Sequence, residues 1–210
     1  MIALIDYGAG NLTSVKKALA TLGAEVFVPT APHDLSRARG VIVPGVGHFD
    51  ATRAIDANWT AAIVGALGEG RPLFGICLGM QWLFEGSDEA PDCPGLGVLG
   101  GRCYRLGQSG LLPAGVSPPG TTVKVPHVGW NALEVIGEAP ILDHVASGSQ
   151  VYFTHSYVAP ITGDTVAHTE HGERFAAIVQ RGQVSGVQFH PEKSGEVGLT
   201  ILRNFLKVTR

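Results

Sequence analysis

Along its first half the chain alternates short, unbroken apolar runs with segments whose apolar positions recur every three or four residues. Residues 2–5 form such a run and predict a buried strand. After the turn Asp6-Tyr7-Gly8-Ala9-Gly10-Asn11, the side chains Leu12, Val15, Leu19 and Leu22 share one helical face, and Gly23 ends the helix. Residues 25–28 and 40–43 are the next predicted strands, joined by a polar connection, 29–39, with little helical periodicity. Residues 50–69 predict a helix with Trp59, Ile63 and Leu67 on its inner face. Gly70-Arg71-Pro72 then returns the chain to an apolar run that changes to helical spacing at Gly75-Ile76-Cys77-Leu78-Gly79. Strands alternating with connecting segments are the signature of a parallel sheet.

The second half reads differently. Gly and Pro are dense from 91 to 120, where 95–101 and 113–120 bracket a predicted strand at 102–106, a composition of hairpins and loops. Residues 123–125 and 130–136 alternate as strands around the glycine-bent segment Pro126-His127-Val128-Gly129-Trp130-Asn131, which on its own reads as a packed turn with an aromatic plug. Residues 150–153, 165–168, 175–180 and 184–189 continue the strand pattern, the last two joined by the turn Arg181-Gly182-Gln183. Residues 195–208 predict a helix with Val197, Ile201, Phe205 and Val208 inward. The expectation is an α/β fold, an open and mostly parallel central sheet flanked by helices, with antiparallel strands added in the second half.

Composition narrows this picture. At 210 residues the chain suits one domain, 1–210, and a second with its own core is hard to fit. With 45% hydrophobic and 16% charged residues and a net charge of −3, it carries neither a nucleic-acid footprint nor a sign of disorder. Cys77, Cys93 and Cys103 form an odd set without metal-ligand spacing, which fits a reducing compartment better than a disulfide framework, and no metal is expected. No basic leader precedes the first apolar run, and no segment nears the roughly 18 apolar residues of a membrane span. The expected location is the cytoplasm.

A cysteine among apolar residues is commonly a small buried hydrophobe. Cys77, however, stands at a strand-to-helix junction with Gly75 and Gly79 two residues to either side, where a nucleophile sits on strained backbone and neighbouring elements pack closely. The helix behind it aims backbone N–H groups at the sulfur, which favours negative charge there. Far along the chain, Gln188-Phe189-His190-Pro191-Glu192 closes a strand with a histidine and a carboxylate, the base and the orienting group that cysteine catalysis needs. His155 rivals His190 as base but has no carboxylate near it in sequence. Gln81, one turn beyond Cys77 on the same helix face, reads either as a solvated polar side chain or as a substrate contact. Pro44-Gly45-Val46-Gly47 reads either as a plain strand-to-loop turn or as a source of backbone donors for an oxyanion, with His48 and Phe49 as loop packing. The Gly8 and Gly10 turn lacks the third glycine of a dinucleotide fingerprint, Thr13 standing in its place.

Gly75-Ile76-Cys77-Leu78-Gly79-Met80-Gln81 together with Gln188-Phe189-His190-Pro191-Glu192 resembles the class I (triad) glutamine amidotransferases, flavodoxin-like α/β enzymes that release ammonia from the side-chain amide of glutamine. Asp6-Tyr7-Gly8-Ala9-Gly10-Asn11-Leu12, Pro44 to Phe49, Pro126 to Asn131, His155-Ser156-Tyr157 and Lys193-Ser194 resemble the branch of that family that serves histidine biosynthesis, and the likeness runs from residue 2 to about residue 206. The resemblance implies Cys77, His190 and Glu192 as the catalytic triad, the backbone of Gly45, Val46 and Leu78 as the oxyanion hole, and Gln81, Ser156 and Tyr157 as glutamine-binding residues. It implies no cofactor. As partner it implies a (β/α)₈-barrel cyclase subunit in a heterodimer, with Asn11, His127, Trp130 and Lys193 toward the interface or the ammonia path; Lys193 reads equally as a solvated lysine. Three rivals stay open: the glutaminase subunit of another amidotransferase pathway, a non-enzymatic binding relative, and a cysteine-nucleophile α/β hydrolase acting on esters. In that hydrolase the acid normally precedes the histidine, whereas Glu192 follows His190.

Overall fold

Alternate residues of the first strands feed two separate cores, which is why these strands read as continuous apolar runs. In the computed structural model, which describes residues 1–108 and 123–209, β1 (Ile2–Leu4), β2 (Val26–Phe27), β3 (Gly40–Gly45) and β4 (Leu73–Cys77) lie parallel in the order β2-β1-β3-β4. Ile42 and Phe74 face one core and Val41, Val43 and Leu73 the other. Three helices follow strands of this half, α1 (Leu12–Thr21), α2 (Ala57–Gly68) and α3 (Leu78–Trp82).

The second half supplies β5 (Gly86–Ser87), β6 (Ala90–Pro94), β7 (Arg102–Arg105), β8 (His127–Ala132), β9 (Glu134–Val135), β10 (Gln150–His155), β11 (Tyr157–Val158), β12 (Thr165–Glu170), β13 (Arg174–Arg181), β14 (Val184–Val187) and the C-terminal α4 (Gly195–Val208). β14 joins β4 in parallel, and β13, β12 and β9 continue outward antiparallel, completing an eight-stranded mixed sheet. β8 pairs antiparallel with β10 alone, and β11-β7-β5-β6 form a small third sheet. α4 covers β4, its Phe205 ring stacked 5.1 Å from Phe74. Burying each such ring contributes roughly 1.5–3 kcal/mol. Among the described residues no helix is long and apolar enough to cross a membrane.

Several sequence expectations are corrected. The helix expected over 50–69 is two pieces, a 3₁₀ turn Phe49–Ala54 and then α2, because the Asp56 carboxylate accepts the N–H groups of Asn58 and Trp59 and restarts the helix as its N-cap. The 29–39 connection contains a 3₁₀ helix, Pro32–Arg37, whose Asp34 carboxylate takes the N–H groups of Thr30 and Ala31. The expected strand at 123–125 is absent, and the expected turn at 126–131 is instead most of β8. Its partner β10 supplies the ladder from His127 opposite His155 to Ala132 opposite Gln150, and β8 buries a histidine where the hydrophobic pattern looks for an apolar residue. Val208, expected inward, is exposed; α4 buries Gly198, Ile201, Leu202, Asn204 and Phe205. The 113–120 stretch lies outside the described residues.

Candidate active site

Cys77 stands at the carboxyl end of β4, in the middle of the parallel sheet. Its backbone is at φ 53°, ψ −107°, a conformation that a residue with a side chain rarely adopts and that surrounding packing must enforce. The glycines on either side explain how it is enforced. A Cβ on Gly79 would overlap the carbonyl of Val43, and one on Gly75 would come within 2.6 Å of the Gly79 carbonyl oxygen. β3, β4 and α3 thus close on the cysteine at a separation that only glycine permits.

His190 reaches the same place from β14, three residues past its end. The loop that carries it is pinned to β10: His190 N–H donates to Tyr152 O (2.9 Å), Ser194 Oγ donates to His190 O (2.6 Å), and Tyr152 N–H donates to Ser194 Oγ (2.9 Å). Nδ1 of His190 lies 2.9 Å from Glu192 Oε1, and both side chains are almost wholly buried. Nε2 is buried with no hydrogen-bond partner of its own. Burial pushes the imidazolium down. The Cys77 sulfur and the Glu192 carboxylate outweigh burial and raise the His190 pKa to about 10.

A cavity of ≈ 350 Å³ opens over the sulfur, lined by Val46, Gly47, Leu78, Gln81, Glu89, Thr154, His155, Ser156 and Tyr157. That lies in the range of about 300–1,000 Å³ typical of small-ligand sites. Gln81 is buried, with Nε2 donating to Tyr157 O (2.8 Å) and to Gln188 Oε1 (3.1 Å), so the solvated reading of this side chain is set aside. Of the backbone donors expected for an oxyanion, Leu78 opens α3, where first-turn N–H groups lack helical partners. The Val46 N–H is instead spent on Ala9 O at 2.8 Å and is not aimed at the sulfur in this conformation. Gly45 pairs in register with Cys77, and a Cβ there would run into the Tyr7 hydroxyl oxygen.

The interface candidates separate. Trp130 is 56% exposed, its ring edge-on to Tyr152 at 6.1 Å, and Lys193 Nζ lies 5.8 Å above the same Tyr152 ring, so the two share one surface beside the His190 loop. Asn11 is the N-cap of α1, its Oδ1 accepting from Ser14 N–H. His127 is buried between Phe153 and His171, so its side chain does not itself reach a partner's surface. His155, the rival base, donates Nδ1–H to Tyr157 O and pairs its Nε2 with His127, so neither nitrogen is hydrogen-bonded to a carboxylate. Burial and the neighbouring His127 push its pKa down to about 3. Of the expected loop packing, Phe49 is fully buried; His48 is exposed and caps the 3₁₀ turn through Nδ1.

The family model for "Glutamine amidotransferase class-I" matches residues 3–208. The chain belongs to the class-I glutamine amidotransferases. This amidotransferase is 46% identical to "Imidazole glycerol phosphate synthase subunit HisH" of Geobacillus kaustophilus, over 99% of its own length and 97% of the relative's. It is 44% identical to the protein of that name from Bacillus cereus, with 98% and 93% covered, and 39% identical to the one from Methanothermobacter thermautotrophicus over the full length of both. Among solved structures it superposes on a glutamine amidotransferase with a TM-score of 0.73 at 23% identity, 100% and 99% of the two chains covered. It superposes on PurLQS from Thermotoga maritima with a TM-score of 0.73 at 20% identity, 100% and 98% covered. Family membership sets aside the ester-hydrolase rival.

Two residues of the amidotransferase site escaped the sequence. Glu89, a cavity-lining carboxylate whose Oε2 accepts the Phe49 N–H at 2.8 Å, sits on a short hairpin with no motif around it. Gln188 was visible only as a letter of the His-Pro-Glu segment, yet it is fully buried and touches the sulfur.

Proposed function

We propose that the chain hydrolyses glutamine to glutamate and ammonia with Cys77, His190 and Glu192, and delivers the ammonia to the cyclase subunit of imidazole glycerol phosphate synthase in histidine biosynthesis. The observation that carries the chemistry is the buried His190–Glu192 pair bearing on a cysteine held in strained backbone at the end of a central parallel strand. The branch rests on near-full-length likeness to subunits of that synthase.

In this reading the Cys77 thiolate attacks the γ-carboxamide carbon, and the oxyanion forms against the Leu78 N–H; the Val46 N–H joins it only on giving up the Ala9 carbonyl. His190, protonated through its pairing with sulfur and Glu192, hands its proton to the leaving ammonia as the tetrahedral intermediate collapses to a γ-glutamyl thioester. The neutral imidazole then takes a proton from water, whose hydroxide attacks the thioester and releases glutamate and the thiolate. Glu192 fixes the ring through Nδ1 at both stages. Gln81, Ser156 and Tyr157 hold the amino-acid end, and Glu89 supplies the negative charge that its ammonium group requires.

Ammonia acts as a nucleophile only while unprotonated, so it must reach its acceptor without equilibrating with bulk water. The partner is therefore a second chain docked over the Cys77 face, a (β/α)₈ barrel forming a heterodimer in the cytoplasm, with Trp130 and Lys193 on the shared surface and Asn11 and His127 behind it. Glutamate release by the purified chain, alone and mixed with such a cyclase subunit carrying its ribonucleotide ligand, tests the assignment. A rate that rises on mixing supports it; a rate indifferent to that subunit sends the search to the partner of another amidotransferase pathway.

A further inference from the structure

A run of hydrogen bonds leads from β8 to the Cys77 sulfur, and its polarity follows from its chemistry. Tyr157 O is a carbonyl and only accepts, so Gln81 must present its amide nitrogen there, at 2.8 Å. The second hydrogen of that nitrogen then points at Gln188, which must offer Oε1, at 3.1 Å. The Gln188 amide is thereby oriented with Nε2 toward Cys77 Sγ, 3.6 Å away. The other arm is fixed by the same carbonyl: His155 donates Nδ1–H to it (3.1 Å), leaving Nε2 of the neutral ring to accept from His127 Nδ1 (3.1 Å), whose own Nε2 faces the Asn131 amide nitrogen (3.4 Å).

From this we infer that Gln188 is a further residue of the catalytic apparatus: its carboxamide N–H donates to the Cys77 sulfur, holding the nucleophile's orientation and stabilising its thiolate, with Gln81 setting the direction of that donation. The inference rests on the reading of Cys77 as the nucleophile. Gln188 is 0% exposed, and every polar atom of its amide is used within this relay, so it has no water to turn to and no second orientation that satisfies Gln81. A glutamine buried only for packing would leave the sulfur indifferent to its loss.

The test is the rate of Cys77 alkylation by iodoacetamide as a function of pH, read by peptide mass spectrometry on the full chain, for wild type, Gln188→Met and Gln188→Glu. Circular dichroism melts run alongside. Met keeps the volume and removes the donor without adding charge; Glu keeps the acceptor for Gln81 and removes the donor. The expected result is alkylation about tenfold or more slower at neutral pH in both, the size of one lost hydrogen bond to a charged group, with the half-maximal pH moved upward. A structural role would lower the melting temperature and leave that pH where it is. An unmoved half-maximal pH in whichever variant folds overturns the inference, provided glutamine protects Cys77 from alkylation in the wild type. Absence of that protection overturns the nucleophile reading itself, and this inference with it.

Discussion

At the scale of single residues the site depends on a proton that burial alone would remove. Glu192→Gln takes away a hydrogen bond and a charge that raise the His190 pKa to about 10 against burial. The imidazole titration, followed by NMR, is expected to move down, with kcat for glutamine hydrolysis falling by about 10²–10⁴-fold and KM little changed. Cys77→Ala removes the other cause and moves the titration the same way while turnover is lost. Because the folded-state value lies above the unfolded one, near 6.5, the His190 proton stabilises the fold fully below 6.5, and that contribution disappears as pH rises through about 10. His127 and His155 act at the other end. Burial holds them down to about 4 and about 3, so the unfolded chain takes up protons that the folded chain refuses, and stability is lost as pH falls from 6.5 through those values. Melting temperatures measured across that range should fall, and less steeply in His127→Gln; an equally steep fall would assign the acid sensitivity to other groups.

At the scale of elements, the strand-to-helix junction at Cys77 is legible in the sequence because its requirements are local. Gly75, Cys77 and Gly79 occur within five residues, and a sharp strand-to-helix turn leaves few other uses for that spacing. Gly79→Ala drives a methyl into the Val43 carbonyl and should destabilise the chain by more than about 2 kcal/mol in denaturant melts, with activity lost even where the protein remains folded. A melt within error of wild type would mean that β3 and α3 separate without cost. β8 was not legible, because its burial is polar: His127 packs against Phe153 and His171 and bonds to His155, contacts that hydrophobic periodicity does not register. The break at Asp56 was missed for a related reason, since a carboxylate that caps one helix looks, in a periodicity window, like a polar face of a longer one. Glu89 and Gln188 depend on pairings 40 and 111 residues apart in sequence, which only the folded sheet order brings together.

At the scale of the whole molecule, adjacent parallel strands β4 and β14 lead to Cys77 and His190, loops and strands of both halves wall the cavity, and the exposed Trp130 and Lys193 gather around Tyr152 beside them. Trp130→Ala should leave the isolated chain's stability within about 0.5 kcal/mol, the usual range for an exposed site. Its affinity for the cyclase subunit should drop by about 2 kcal/mol or more by isothermal titration calorimetry, as for a buried aromatic anchor. Unchanged affinity would move the interface away from β8. Glutamine hydrolysis by the proposed route requires covalent chemistry at Cys77. The most direct test is to quench the chain in acid while it turns over glutamine in the presence of the cyclase subunit and to map its peptides by mass spectrometry. A γ-glutamyl adduct on the Cys77 peptide, absent from Cys77→Ala, is the predicted result; glutamate formed with no adduct there, or formed at an undiminished rate by Cys77→Ala, would contradict it.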